Sequence, residues 1–213
     1  MKLFTFLFII FISIIIIITC AYYKTTQEGL TNNNTIILMG DSILNNTNYV
    51  SSGHSIYDIL KTKTNNVINL AKDGATISDL YTQLELIPIE LNNNNTYIFI
   101  SAGGNNILTK QTNNEIETLF DKYMLFLKTL RVKLNNTKIN ILNLYLPSNP
   151  QFQSYKTIID KWNLLINNNS NKIGEMYNVL DIHSLLTNSE DFVNDIEPSA
   201  ISSNKIANLI YIT

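Results

Sequence analysis

The chain has 213 residues, with 15 Lys and Arg against 17 Asp and Glu, a formal net charge of −2. That length suits one domain plus a short extra segment, and the balanced charge excludes a basic nucleic-acid-binding face. A single cysteine, Cys20, excludes an intrachain disulfide. Two histidines, with no C-x-x-C or H-E-x-x-H spacing, give no expectation of a metal or any other cofactor.

Residues 3–19, LFTFLFIIFISIIIIIT, carry no charge and no Pro or Gly. At about 1.5 Å per residue, such a run comes close to spanning a hydrocarbon core of about 30 Å. Residues 1–20 are therefore read as a hydrophobic helix serving as a single-pass signal anchor, and 21–34 as a polar tether. Thr19-Cys20-Ala21 offers a weak cleavage site, so a cleaved signal with a secreted or lumenal product is the alternative. With Lys2 before the run and Lys24 after it, orientation is not decided. Asn33, Asn45, Asn94, Asn135 and Asn168 head N-x-S/T sequons that matter only if the domain is lumenal. Asparagine is abundant throughout, and its clusters mark loops.

From residue 35 onward, short apolar runs alternate with longer amphipathic ones. Strands are expected at 35–39, 66–70, 97–101, 139–146 and 177–181, and helices at about 55–63, 76–87, 114–134, 152–173 and 200–211. This alternation implies right-handed crossovers and a five-stranded parallel sheet in a three-layer α/β/α sandwich over residues 35–213. Ligands of such sheets bind beyond the carboxyl ends of the strands.

Three segments fall at such ends, Gly40-Asp41-Ser42, Ala71-Lys72-Asp73-Gly74-Ala75-Thr76 and Ala102-Gly103-Gly104-Asn105-Asn106, and a fourth, Asn194-Asp195-Ile196-Glu197-Pro198-Ser199, precedes the last helix. Singly, each reads as a strand-to-helix turn with a helix cap. Together they contain the parts of an acyl-transfer site. Ser42 offers a hydroxyl and its own N–H, the turn at Gly74 a second N–H, and Asn105 a side-chain amide.

The order of these blocks resembles the SGNH (GDSL-type) hydrolase superfamily, across residues 36–211. The matching motifs are Gly40-Asp41-Ser42-Ile43, Gly74, and Gly103-Gly104-Asn105-Asn106. The resemblance implies the α/β/α fold named above, a nucleophilic Ser42, and an oxyanion hole of Ser42 N–H, Gly74 N–H and Asn105. The family closes on D-x-x-H-P; here Glu197 stands at the histidine position and Asn194 at the aspartate position. Asn106 replaces the usual aspartate of the third block. The I-E-P-S closing block resembles an atypical branch carrying Glu in place of His.

Glu197 has two readings: a catalytic base with a raised pKa, or a carboxylate at the N-terminus of the last helix. His183, two residues after Asp181, and His54 are other candidate bases, each equally a polar surface residue. Asp41, Asn194 and His183 are candidate supporting groups. The expected function is hydrolysis of an ester, acyl or acetyl, on a small molecule, lipid or glycan. The alternative is a catalytically weak module that binds such a ligand. The substrate itself is set by loops that the sequence does not decode.

Overall fold

The computed structural model describes residues 30–31, 33–109, 115–170 and 177–213. The hydrophobic helix expected at 1–20 lies outside the described residues, as does most of the tether at 21–34. Among the described residues, no helix is long and apolar enough to cross a membrane. Leu30 is buried, and its N–H donates to Tyr211 O at 2.8 Å.

The sheet consists of β1 (Thr35–Gly40), β2 (Val67–Asn69), β3 (Thr96–Ser101), β4 (Lys138–Leu142) and β5 (Asn178–Leu180). All pairings are parallel, in the order β2-β1-β3-β4-β5. The central strands β1 and β3 are almost wholly apolar and are buried on both faces, as a sheet covered by helices requires. The chain moves from β1 outward to β2, then back past β1 to β3, β4 and β5. Right-handed crossovers therefore put the first helix on one face and the following ones on the other. The first is α1 (Ile56–Lys63), which packs with the last helix, α6 (Ala200–Tyr211). The others are α2 (Asp79–Glu85), α4 (Ile116–Lys133) and α5 (Lys156–Ser170), which pack in sequence; the short α3 (Gly104–Leu108) follows β3.

Two elements outside the expected set bear on the site. One is α3. The other is a hairpin of β6 (Phe192–Val193) and β7 (Glu197–Pro198), just before α6. Two expected elements are shorter or split. The run at 152–173 divides into a 3₁₀ segment, Pro150–Tyr155, and α5, because Asn149 and Pro150 start a tight turn of their own. The strand expected to reach residue 146 ends at Leu142, because its neighbour β5 is only three residues long. Asn163 takes over there: its side chain accepts from Leu144 N at 2.8 Å and donates to Leu144 O at 2.7 Å.

The same device finishes β1. The buried Gln83 side chain on α2 accepts from Gly40 N at 2.7 Å and donates to Gly40 O at 2.9 Å. A side-chain amide thus satisfies both backbone groups of a strand's last residue. Gly40 itself has φ +121°, and a Cβ there would lie 1.9 Å from Ser101 O. No other residue fits between the ends of β1 and β3. Gly40→Ala should therefore lower the unfolding free energy by roughly 2–4 kcal/mol, from backbone strain and displacement of β3. Urea unfolding checks this; an unchanged midpoint would contradict the account of the strand junction.

Candidate active site

Ser42 lies in the turn directly after β1. It is 8 % exposed and lines a cleft together with Asp41, Asn105 and Glu197. The turn is tied inward through Asp41, only 2 % exposed, whose Oδ1 accepts from Ser101 Oγ at 2.7 Å and from Ile43 N at 3.2 Å. Glu197 sits on β7 and lines the same cleft as Ser42, whose nearby hydroxyl pulls the Glu197 pKa down. One carboxylate oxygen of Glu197, Oε2, is buried without a hydrogen-bond partner. Desolvation outweighs the Ser42 contact, and with the charge of Asp73 it holds the Glu197 pKa above the usual carboxylate range.

Glu197 does not cap the last helix. Ser199 does, its Oγ accepting from Ser202 N. Asn194 and Asp195 form the hairpin turn, with φ of +50° and +69° and Ile196 N donating to Val193 O. Two successive positive φ values suit a tight hairpin turn, and Asn and Asp tolerate them better than most side chains. Asn194 is exposed in that turn and is not part of the cleft wall. Asp195 is clasped by Asn149 Nδ2 at 2.8 Å, and Tyr145 Oη donates to Ile196 O at 2.7 Å. These bonds fix the hairpin, and with it Glu197, to the segment after β4.

Asn105 Nδ2 donates to Ala75 O at 3.0 Å, which joins the turn after β3 to the turn after β2. An amide carries two hydrogens, so a second remains for a ligand. Asn106 Oδ1 accepts from Ile77 N at 3.1 Å, a tie between the same two turns. Gly74, φ +72°, is exposed in its turn and does not line the cleft. Its neighbour Asp73 accepts from Tyr49 Oη at 2.7 Å and lies close enough to raise the Glu197 pKa.

Neither histidine lines the cleft. His183 is half-buried beyond β5, with Nδ1 2.9 Å from Leu144 O and its backbone N–H bonded to Asn143 Oδ1. His54 is exposed beside Ser51 and Ser52. Asn46, not singled out in the sequence, is fully buried. It donates to Pro198 O and Ser203 Oγ and accepts from Ile56 N, so it ties the Ser42 loop to the strand carrying Glu197. Among the described residues, no cluster of three His, Cys, Asp or Glu could hold a metal ion.

Solved structures share the fold of this chain over most of their length. A member of the lipolytic G-D-S-L family from Veillonella parvula matches with a TM-score of 0.64 at 16% identity, covering 82% of this chain and 94% of that one. The chain has the SGNH/GDSL hydrolase fold. A phospholipase A1 from Streptomyces albidoflavus matches at a TM-score of 0.65 and 14% identity, over 84% and 98% of the two chains. An acetylxylan esterase from Geobacillus stearothermophilus matches at 0.61 and 15%, over 85% and 94%. No family model matches the sequence, and no curated protein does.

Within this SGNH/GDSL fold, Asp41 carries a measurable signature. Burial pushes its carboxyl up from 3.8 to about 7, against the Ser101 and Ile43 hydrogen bonds and with the Glu197 charge adding to the rise. A raised folded pKa means that the folded state holds its proton longer than the unfolded one. Stability is then greatest below about pH 4 and falls as pH rises toward 7, by up to about 4 kcal/mol for this one group. Glu197 acts in the same direction. Asp41→Asn keeps an oxygen able to accept both bonds and removes the titration. Its unfolding free energy should fall much less between pH 4 and pH 7.5 than that of the parent protein. Equal pH slopes for the two proteins would contradict the burial of an ionisable Asp41.

Proposed function

We propose that the protein is a serine hydrolase acting on an ester bond, with Ser42 as nucleophile and Glu197 as base. The observation that carries this reading is that Ser42 and Glu197, with a buried and unpartnered Oε2, line one cleft together with Asn105. In the proposed cycle, Ser42 Oγ attacks the ester carbonyl carbon as its proton passes to Glu197. The carbonyl oxygen becomes an oxyanion that accepts from the second Asn105 amide hydrogen and from the N–H of Ser42; Gly74, outside the cleft wall, drops out of the expected donor set. Collapse breaks the bond to the alcohol, which leaves with the proton held by Glu197. Water then attacks the Ser42 ester, giving its proton to Glu197, and the acid departs as Ser42 regains its hydrogen.

A carboxylate is a weaker base than imidazole, and burial is what brings its pKa toward the working range. Turnover of activated esters should be detectable and modest. Ser42→Ala should abolish it, and Glu197→Gln should lower kcat/KM by about 10²–10⁴, the range for loss of a general base. His183→Ala and His54→Ala should stay within about twofold. Damage confined to His183→Ala would move the base to the segment after β5. A second reading, ligand binding without turnover, is favoured by the lack of histidine in the cleft wall; wild-type protein with no Ser42-dependent turnover would support it.

The apolar run at 3–19 supports a single-pass membrane anchor for this domain. Full-length protein should remain in the membrane fraction after alkaline carbonate extraction. Release with a shortened N-terminus would favour a cleaved signal and a secreted or lumenal enzyme.

A further inference from the structure

The cleft that opens at Ser42 has a cavity volume of about 100 Å³, within a wider depression of about 630 Å³ that includes open solvent. Its polar lining consists of Asp41, Ser42, Asn105 and Glu197, beside the tyrosines Tyr145 and Tyr155. Otherwise the wall is aliphatic and aromatic, with Ile107 from α3, Leu144 after β4, Ile159 from α5, and Phe152 and Tyr155 from the 3₁₀ segment. No Lys, Arg or His lines it. A phosphate group placed there would lose water without gaining a cationic partner.

We infer that this cleft receives an extended apolar acyl chain, and that Phe152 and Tyr155 set the preference for it over acetyl. The inference rests on the ester-hydrolase reading and specifies its substrate class. The two rings lie 6.4 Å apart, centroid to centroid, and are half-buried, so each offers apolar surface for a ligand to cover. Their segment is held at its start by Asn149 Nδ2 on Asp195, in the hairpin that carries Glu197. Chain-binding wall and candidate base are thus parts of one bonded unit. The acyl group is the part of an ester that stays on the serine between the two steps, so it is the part that a fixed wall can hold throughout.

The test uses ethyl esters of acetate, butyrate, hexanoate and octanoate, with octyl acetate as the mirror case, and calorimetric binding of octanoate and acetate. kcat/KM should rise about fourfold per added methylene over the first few carbons, the factor for burying one CH₂. Ethyl octanoate should exceed octyl acetate. In Phe152→Ala and Tyr155→Ala the octanoyl-to-acetyl ratio should fall by about tenfold, the lower end of pocket discrimination. A flat or acetate-peaked series, or octyl acetate preferred over ethyl octanoate, would overturn the inference. Octanoate binding needs no chemistry and separates this inference from the hydrolase reading. Binding that weakens in Phe152→Ala supports the chain site even in protein that turns nothing over, while absence of octanoate binding overturns it.

Discussion

Everything at the site hangs on the contact between the last residues of β1 and β3. Gly40 lies so close to the Ser101 carbonyl that the space for a side chain does not exist. Gln83 then satisfies both of its backbone groups, and the Ser101 hydroxyl pins the next residue, Asp41. With three consecutive constraints on residues 40 and 41, the position of Ser42 follows with little freedom. The rest of the site is brought to that point by similar ties. Asn46 links the serine loop to the strand carrying Glu197, and Asn105 links the turns after β2 and β3. Rigid elements placing a small set of polar groups is what catalysis by positioning demands.

The electrostatics of the site are those of a cluster of acids. Asp41 and Glu197 feel each other or Asp73, and both have pKa values displaced upward by burial. In such surroundings ionisation of each group opposes that of the others. The displacement suits a carboxylate asked to accept a serine proton near neutral pH, since it narrows the gap that makes an ordinary glutamate ineffective. It also leaves the donors, chiefly the second hydrogen of the Asn105 amide, as the groups that would stabilise negative charge on a substrate oxygen. The apolar wall beyond them strengthens those donors by excluding water.

The sheet and its main helices were legible because burial on both faces makes strands nearly continuous apolar runs, as in TIILM and YIFIS, and because the helices between them are amphipathic. The three segments after β1, β2 and β3 were legible for the same reason: in a parallel sheet they fall on one edge. The hairpin around Asn194 and Asp195 was not, since two-residue strands leave no periodic pattern. Nor was the use of Asn46, Gln83 and Asn163 as bonding bridges. In a chain this rich in asparagine, a buried amide looks like any loop residue until its partners 10 to 157 positions away are known. The early end of β4 had the same cause, because Asn163 replaces a strand partner that the apolar run at 139–146 seemed to require.

The pairing of Ser42 with Glu197 is tested most directly by the rate at which a fluorophosphonate modifies Ser42, followed by intact mass across pH. The account predicts a rate that rises with pH through a midpoint above the usual carboxylate range, and that collapses and loses this midpoint in Glu197→Gln. Modification at an unchanged rate and pH dependence in Glu197→Gln would contradict it.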